Sequence, residues 1–103
     1  VQWDSTDSQR TIPEVMRKEI HDKYGCPALY VGGEGKGLLK SSIPHIGFAM
    51  ANAKFHVGSD SGMMHVAQLY KDYEDIHIYD RPGSYRSHHL VRAINNGSKY
   101  FKV

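Results

Sequence analysis

At 103 residues the chain has room for one domain around one apolar core, and residues 1–103 read as a single unit. Hydrophobic residues make up 40% and charged residues 23%, which excludes disorder, collagen-like repeats and a coiled coil. The formal charge of +2, from 13 basic and 11 acidic side chains, is too balanced to single out nucleic acid or an anionic membrane as a partner. No apolar run approaches the roughly 18 residues of a membrane span, and the first residues do not follow a signal-peptide pattern. The lone Cys26 excludes a disulfide framework and cysteine-rich metal sites, and it sets a reducing, cytoplasmic expectation.

Taken in chain order, residues 1–3 read as the tail of a strand, followed by a polar loop over 4–10. Thr11-Ile12-Pro13-Glu14 has the form of a capping box with proline in the first turn. Ile12, Val15, Met16 and Ile20 then recur at helical spacing toward Tyr24, and Gly25 stops the helix. Residues 28–31 form a short apolar strand, and 34–40 a glycine-rich loop. Ser41 or Ser42 caps a second helix, with Pro44 early in it and Ile43, Ile46, Met50 and Ala53 on one face. A strand over 54–58 leads through Ser59-Asp60-Ser61-Gly62 into a helix over 63–71. Residues 76–79 read as a strand, Arg81-Pro82-Gly83 as a turn, Ser84 as a cap, and 85–96 as a helix ended by Gly97. Residues 99–103 close the chain as a strand. Trp3, Tyr30, Phe48, Phe55 and Tyr79 are expected in the core.

Five short strands alternating with four helices predict an α/β, three-layer fold: a mostly parallel five-stranded sheet with helices on both faces, Rossmann-like in its winding. In such sheets ligands bind beyond the carboxyl ends of the strands. Four polar loops collect there, over 4–7, 32–36, 59–62 and 80–83. The third is the most informative, because a strand runs directly into Asp60-Ser61-Gly62 and a helix begins at once. Gly62 lets a ligand approach the backbone closely. The amides of Ser61, Gly62, Met63 and Met64 point outward there, and the helix dipole favours an anion. The plainer reading is that Asp60 or Ser61 is only an N-cap.

Other features are weaker. Gly32-Gly33-Glu34-Gly35-Lys36-Gly37 leaves a strand end and reads either as a flexible loop or as a phosphate contact through Gly33 and Lys36, with Lys40 nearby; it is not a Walker A sequence. Arg81 and Arg86 flank the 76–79 strand and suit a phosphate or a solvated surface. His56, Asp60 and His65 do not have the spacing of a tetrahedral metal site, so no metal is expected. His88 and His89 point about 100° apart on a helix and read as surface.

The string Val57-Gly58-Ser59-Asp60-Ser61-Gly62-Met63-Met64-His65-Val66-Ala67 resembles the signature of the heptosyltransferase-like glycosyltransferases (glycosyltransferase family 9). That signature is a strand, then Asp-Ser/Thr-Gly, two mostly apolar residues, His, one residue and Ala. Asp60, Ser61, Gly62, His65 and Ala67 match its fixed positions. The order of elements is similar over residues 1–80. The resemblance implies the second, donor-binding half of a GT-B architecture. The backbone at Ser61, Gly62 and Met63 would then cradle the diphosphate of a nucleotide sugar. Asp60 would contact the donor sugar or order the loop, and His65 would approach phosphate or sugar. Gly33, Lys36 and Arg81 complete the expected donor site, with no cofactor and no metal.

Transfer also needs a base and an acceptor site, which in this family belong to another domain. Asp4, Asp7, Glu34 and Asp80 sit at strand ends, and spacing does not choose among them. The chain is therefore read as a donor-binding domain acting with an acceptor-binding domain or chain, and as an enzyme only when so partnered. The alternatives are a non-catalytic binding or interaction module, and an unrelated small α/β fold whose 57–67 segment matches by chance. An open sheet edge at 99–103 suits a homodimer.

Overall fold

The structure is a computed structural model and describes residues 1–5, 9–25, 27–31, 42–81 and 87–103. Among the described residues the helices are α1 (Glu14–Asp22), α2 (Ile43–Asn52), α3 (Gly62–Tyr70) and α4 (His88–Asn95). The strands among them are β1 (His56–Ser59), β2 (Ile76–Asp80) and β3 (Lys99–Lys102), with a 3-10 turn at Tyr73–Asp75.

The class is mixed α/β, but the expected five-stranded sheet is corrected to three parallel strands in the order β1-β2-β3. His56 lies opposite Ile76, and His77 opposite Lys99. The two segments expected as further strands fall short. Residues 1–3 make a single bridge, between Gln2 and Gly58. Residues 28–31 contact residue 1 through two backbone bonds: the Val1 amine donates to Leu29 O at 2.7 Å, and Val31 N donates to Val1 O at 2.7 Å. Pro27, just before that segment, has no N–H, so a ladder cannot extend back through it. These contacts place residues 1–3 laterally between 28–31 and β1.

Every residue of β1 and β2 is buried, as parallel strands covered on both faces must be. Alternation along β2 sorts the core. Ile76 and Ile78 join Ile46, Met50, Met64 and Leu90 beneath α2, α3 and α4. Val57 and Tyr79 join Trp3, Ile12 and Ile20 beneath α1. Phe48 is a correction: it is 71% exposed on α2, while Trp3 and Tyr79 are buried as expected. Val15 is likewise exposed, so the buried stripe of α1 is narrower than its apolar spacing implies.

Local signals set the helix ends. Gly25 (φ 61°) and Gly97 (φ 109°) take left-handed conformations just beyond α1 and α4, where a side chain would be strained. The expected capping box at α1 does not form: Pro13 is the N-cap residue. Thr11 Oγ1 instead accepts from Ser5 N at 3.0 Å and donates to Ser5 O at 3.2 Å, fastening the loop after residue 3. The fourth helix begins later than expected, and its cap is Ser87; Ser84 lies outside the described residues.

Candidate functional site

The carboxyl ends of residues 1–3, β1 and β2 carry Asp4, Asp60 and Asp80. Between the first two, the backbones of residues 1–3 and β1 approach closely at Gly58. A Cβ added to Gly58 would sit 2.5 Å from Gln2 O, so only glycine lets the two segments meet. That approach brings the Gln2 side chain under the β1–α3 turn. Gln2 Oε1 accepts from Ser61 Oγ at 2.6 Å and from Ser59 Oγ at 3.5 Å. Gln2 is thus a residue of the candidate site that sequence reading missed, since nothing in its local context marks it.

Asp60 is 1% exposed, and both carboxylate oxygens are occupied. Ser87 Oγ donates to Oδ1 at 2.6 Å, and Ser87 N donates to Oδ2 at 3.1 Å. Ser87 Oγ in turn accepts from Leu90 N at 3.1 Å and caps α4. Asp60 therefore orders the loop by holding the start of α4.

The turn leaves a small open cradle. Met64 N donates to Ser61 O at 3.1 Å, so this amide is spent inside the turn. The amides of Ser61, Gly62 and Met63 have no partner among the described residues. A Cβ added to Gly62 meets nothing within 4 Å, so the space over this residue is open. Met63 is half-buried against the core beneath α3.

His65, in the first turn of α3, packs against α4. Its ring lies 4.0 Å from that of His89, centroid to centroid, at an interplanar angle of 34°. Arg92 Nη2 sits 3.0 Å from His65 Nδ1. His89 was expected on a solvated surface and is instead half-buried in this contact. Its pKa is lowered, first by desolvation and then by His65 and Arg92, with Asp60 opposing.

The remaining expected residues divide. Arg81 Nη1 donates to Thr11 O at 3.3 Å, which ties the end of β2 to the loop before α1. Gly33, Lys36, Lys40, Arg86, Asp7 and Glu34 lie outside the described residues. Of the candidate bases, Asp4 pairs with Arg17 at 2.9 Å. Asp80 is buried and accepts from the Tyr100 hydroxyl at 2.5 Å. His56, Asp60 and His65 are not brought together. Among the described residues, three metal-ligating side chains converge only at Asp72, Glu74 and Asp75 on the 3-10 turn, all at least partly exposed.

A separate cavity of about 340 Å³ lies where α1 and α2 end and β1 begins, lined by Trp3, Tyr24, Met50, Phe55 and His56 among others. It is apolar and lies at the opposite end of β1 from the β1–α3 turn. His56 is 2% exposed, and burial, with smaller effects from the terminal amine and Lys71, pushes its pKa down to about 3.

Compared with family models, with curated proteins and with solved structures, the chain matches none. Among the described residues no helix is long and apolar enough to cross a membrane.

Proposed function

We propose that the chain is a glycosyltransferase-like donor-binding domain. It takes the diphosphate of a nucleotide sugar at the 59–65 turn and acts with an acceptor-binding domain or chain. The observation that carries this reading is the cradle itself: three unpartnered amides at the first turn of α3, with open space over Gly62, beside His65. Amides aimed outward at a helix start, with the dipole behind them, bind phosphate without a metal. The roles differ in one respect from those the sequence motif implies. Asp60 and the Ser61 hydroxyl shape the cradle through Ser87 and Gln2, and recognition falls to the backbone and to His65.

A second reading, a non-catalytic binding module, is favoured by the candidate bases: Asp4 and Asp80 are both engaged by neighbours, Arg17 and Tyr100. In either case transfer by this chain alone is not expected. A reducing, cytoplasmic setting goes with the nucleotide-sugar reading, as does the single cysteine.

Thermal unfolding with ADP, UDP, GDP and CDP sugars tests the proposal. Ligand at a hundred times its Kd stabilises the fold by about 2.7 kcal/mol, a rise in melting temperature of more than about 10 °C for a domain of this size. Absence of binding to all four at millimolar concentration overturns the donor reading in favour of the interaction module.

A further inference from the structure

The contact between α3 and α4 has a chemistry of its own. Arg92 is anchored by Gln68, which is itself tied to the backbone of α4. Its Nε donates to Gln68 Oε1 at 2.9 Å, and Gln68 Nε2 donates to His89 O at 2.9 Å. The guanidinium is therefore fixed as it meets His65 Nδ1 at 3.0 Å. A guanidinium carries only donors. His65 Nδ1 must accept, and the proton of the neutral ring sits on Nε2. Neither Nε2 of His65 nor either ring nitrogen of His89 has a hydrogen-bond partner among the described residues.

The surrounding charge is one-sided. Neither α3 nor α4 contains an aspartate or glutamate. The groups acting on His89 are His65 from α3, Arg92 and His88 from its own helix, and Asp60 from the β1–α3 turn. The Asp60 carboxylate is already bonded twice by Ser87. Two tilted imidazoles in contact and a guanidinium thus present spare donors, and among the described residues no carboxylate at this contact is left to answer them.

We propose that His65 and His89 together bind a phosphoryl oxyanion, and that Arg92 is the positioning residue that fixes His65 as the Nε2–H tautomer. This rests on the reading of the β1–α3 turn as a diphosphate site, and it adds α4 to that site. The bound anion stabilises the imidazolium form of His89, so binding takes up a proton, and affinity falls as pH rises through the histidine range.

Histidine-labelled protein, followed by long-range proton–nitrogen NMR during titration with inorganic pyrophosphate, tests the inference. Free His65 at pH 7.5 is expected as the Nε2–H tautomer, and Arg92→Met is expected to convert it to a mixture. Pyrophosphate is expected to move both imidazoles and raise the titration midpoint of His89. His89→Phe keeps the ring contact and is expected to weaken pyrophosphate about tenfold, as loss of a charge-assisted hydrogen bond does. His89→Gln serves if the phenylalanine variant does not fold. An Nδ1–H tautomer in free His65, pyrophosphate that moves neither imidazole, or unchanged affinity in the His89 variant overturns the inference. Pyrophosphate bound here while no nucleoside diphosphate sugar binds removes the donor reading and leaves the oxyanion site standing. Nucleotide-sugar binding that leaves both imidazoles unmoved removes the oxyanion site alone.

Discussion

A methyl group at position 62 meets no atom of the folded chain, whereas it stands in the path of anything approaching the β1–α3 turn from outside. Gly62→Ala is therefore expected to leave the melting temperature unchanged or slightly raised, while nucleoside-diphosphate affinity falls about tenfold or more. Calorimetric titration of the variant beside its melting curve separates the two effects. Asp60→Ala is expected to behave in the opposite way. It strips Ser87 of an acceptor and unsettles the cap of α4, costing about 2 kcal/mol, roughly 10 °C in melting temperature by circular dichroism. The residue motif over 57–67 was legible as a string, but the use of its side chains was not. Asp60 and Ser61 look like ligand contacts in sequence because their partners, Ser87 and Gln2, are 27 and 59 positions away. Gln2 itself carries no local signal, since its role comes from a glycine on another segment.

Helices were the most readable elements, and for physical reasons. Pro44 in the first turn of α2, and Gly25 and Gly97 beyond α1 and α4, impose backbone geometry locally, and the helix positions follow within a few residues. The sheet was overread. Short apolar runs at 1–3 and 28–31 resemble strands, yet a ladder needs a neighbour in register over several residues, a property no single segment encodes. At this scale the two tight glycines make contrasting predictions. At Gly58 an added Cβ meets the backbone of Gln2, which cannot move without breaking the pairing of Gln2 with β1. At Gly47 the nearest atoms it meets belong to the ring of Tyr70, a side chain 38% exposed and able to swing outward. Gly58→Ala is expected to cost about 2–3 kcal/mol and Gly47→Ala about 1 kcal/mol or less, read from urea unfolding midpoints.

Acid acts on the molecule as a whole through its buried imidazoles. His56 is neutral in the fold, with a pKa near 3, but takes up a proton near pH 6.5 once unfolded. The unfolded chain binds more protons between these values, so stability falls as pH drops below about 6.5 and levels off near the folded value. At pH 4 this one group accounts for on the order of 3 kcal/mol. His77, lowered by burial and by Lys99 and joined through Nδ1 to the Tyr24 hydroxyl at 2.7 Å, adds in the same direction. His56→Leu is expected to flatten the pH dependence of denaturant unfolding between pH 6.5 and 4; an unchanged slope would show that the acid sensitivity lies elsewhere. Finally, the bond pair between Ser87 and Asp60 joins two stretches of chain that differ in what shields them. Ser87 N is shielded by that carboxylate, and Leu90 N by the Ser87 hydroxyl that the carboxylate holds, so the start of α4 and the end of β1 are expected to open together. Deuterium uptake at Ser87 and Leu90 is expected to follow a common rate in the wild type. In Asp60→Ala both should exchange faster together, while β2 keeps its protection.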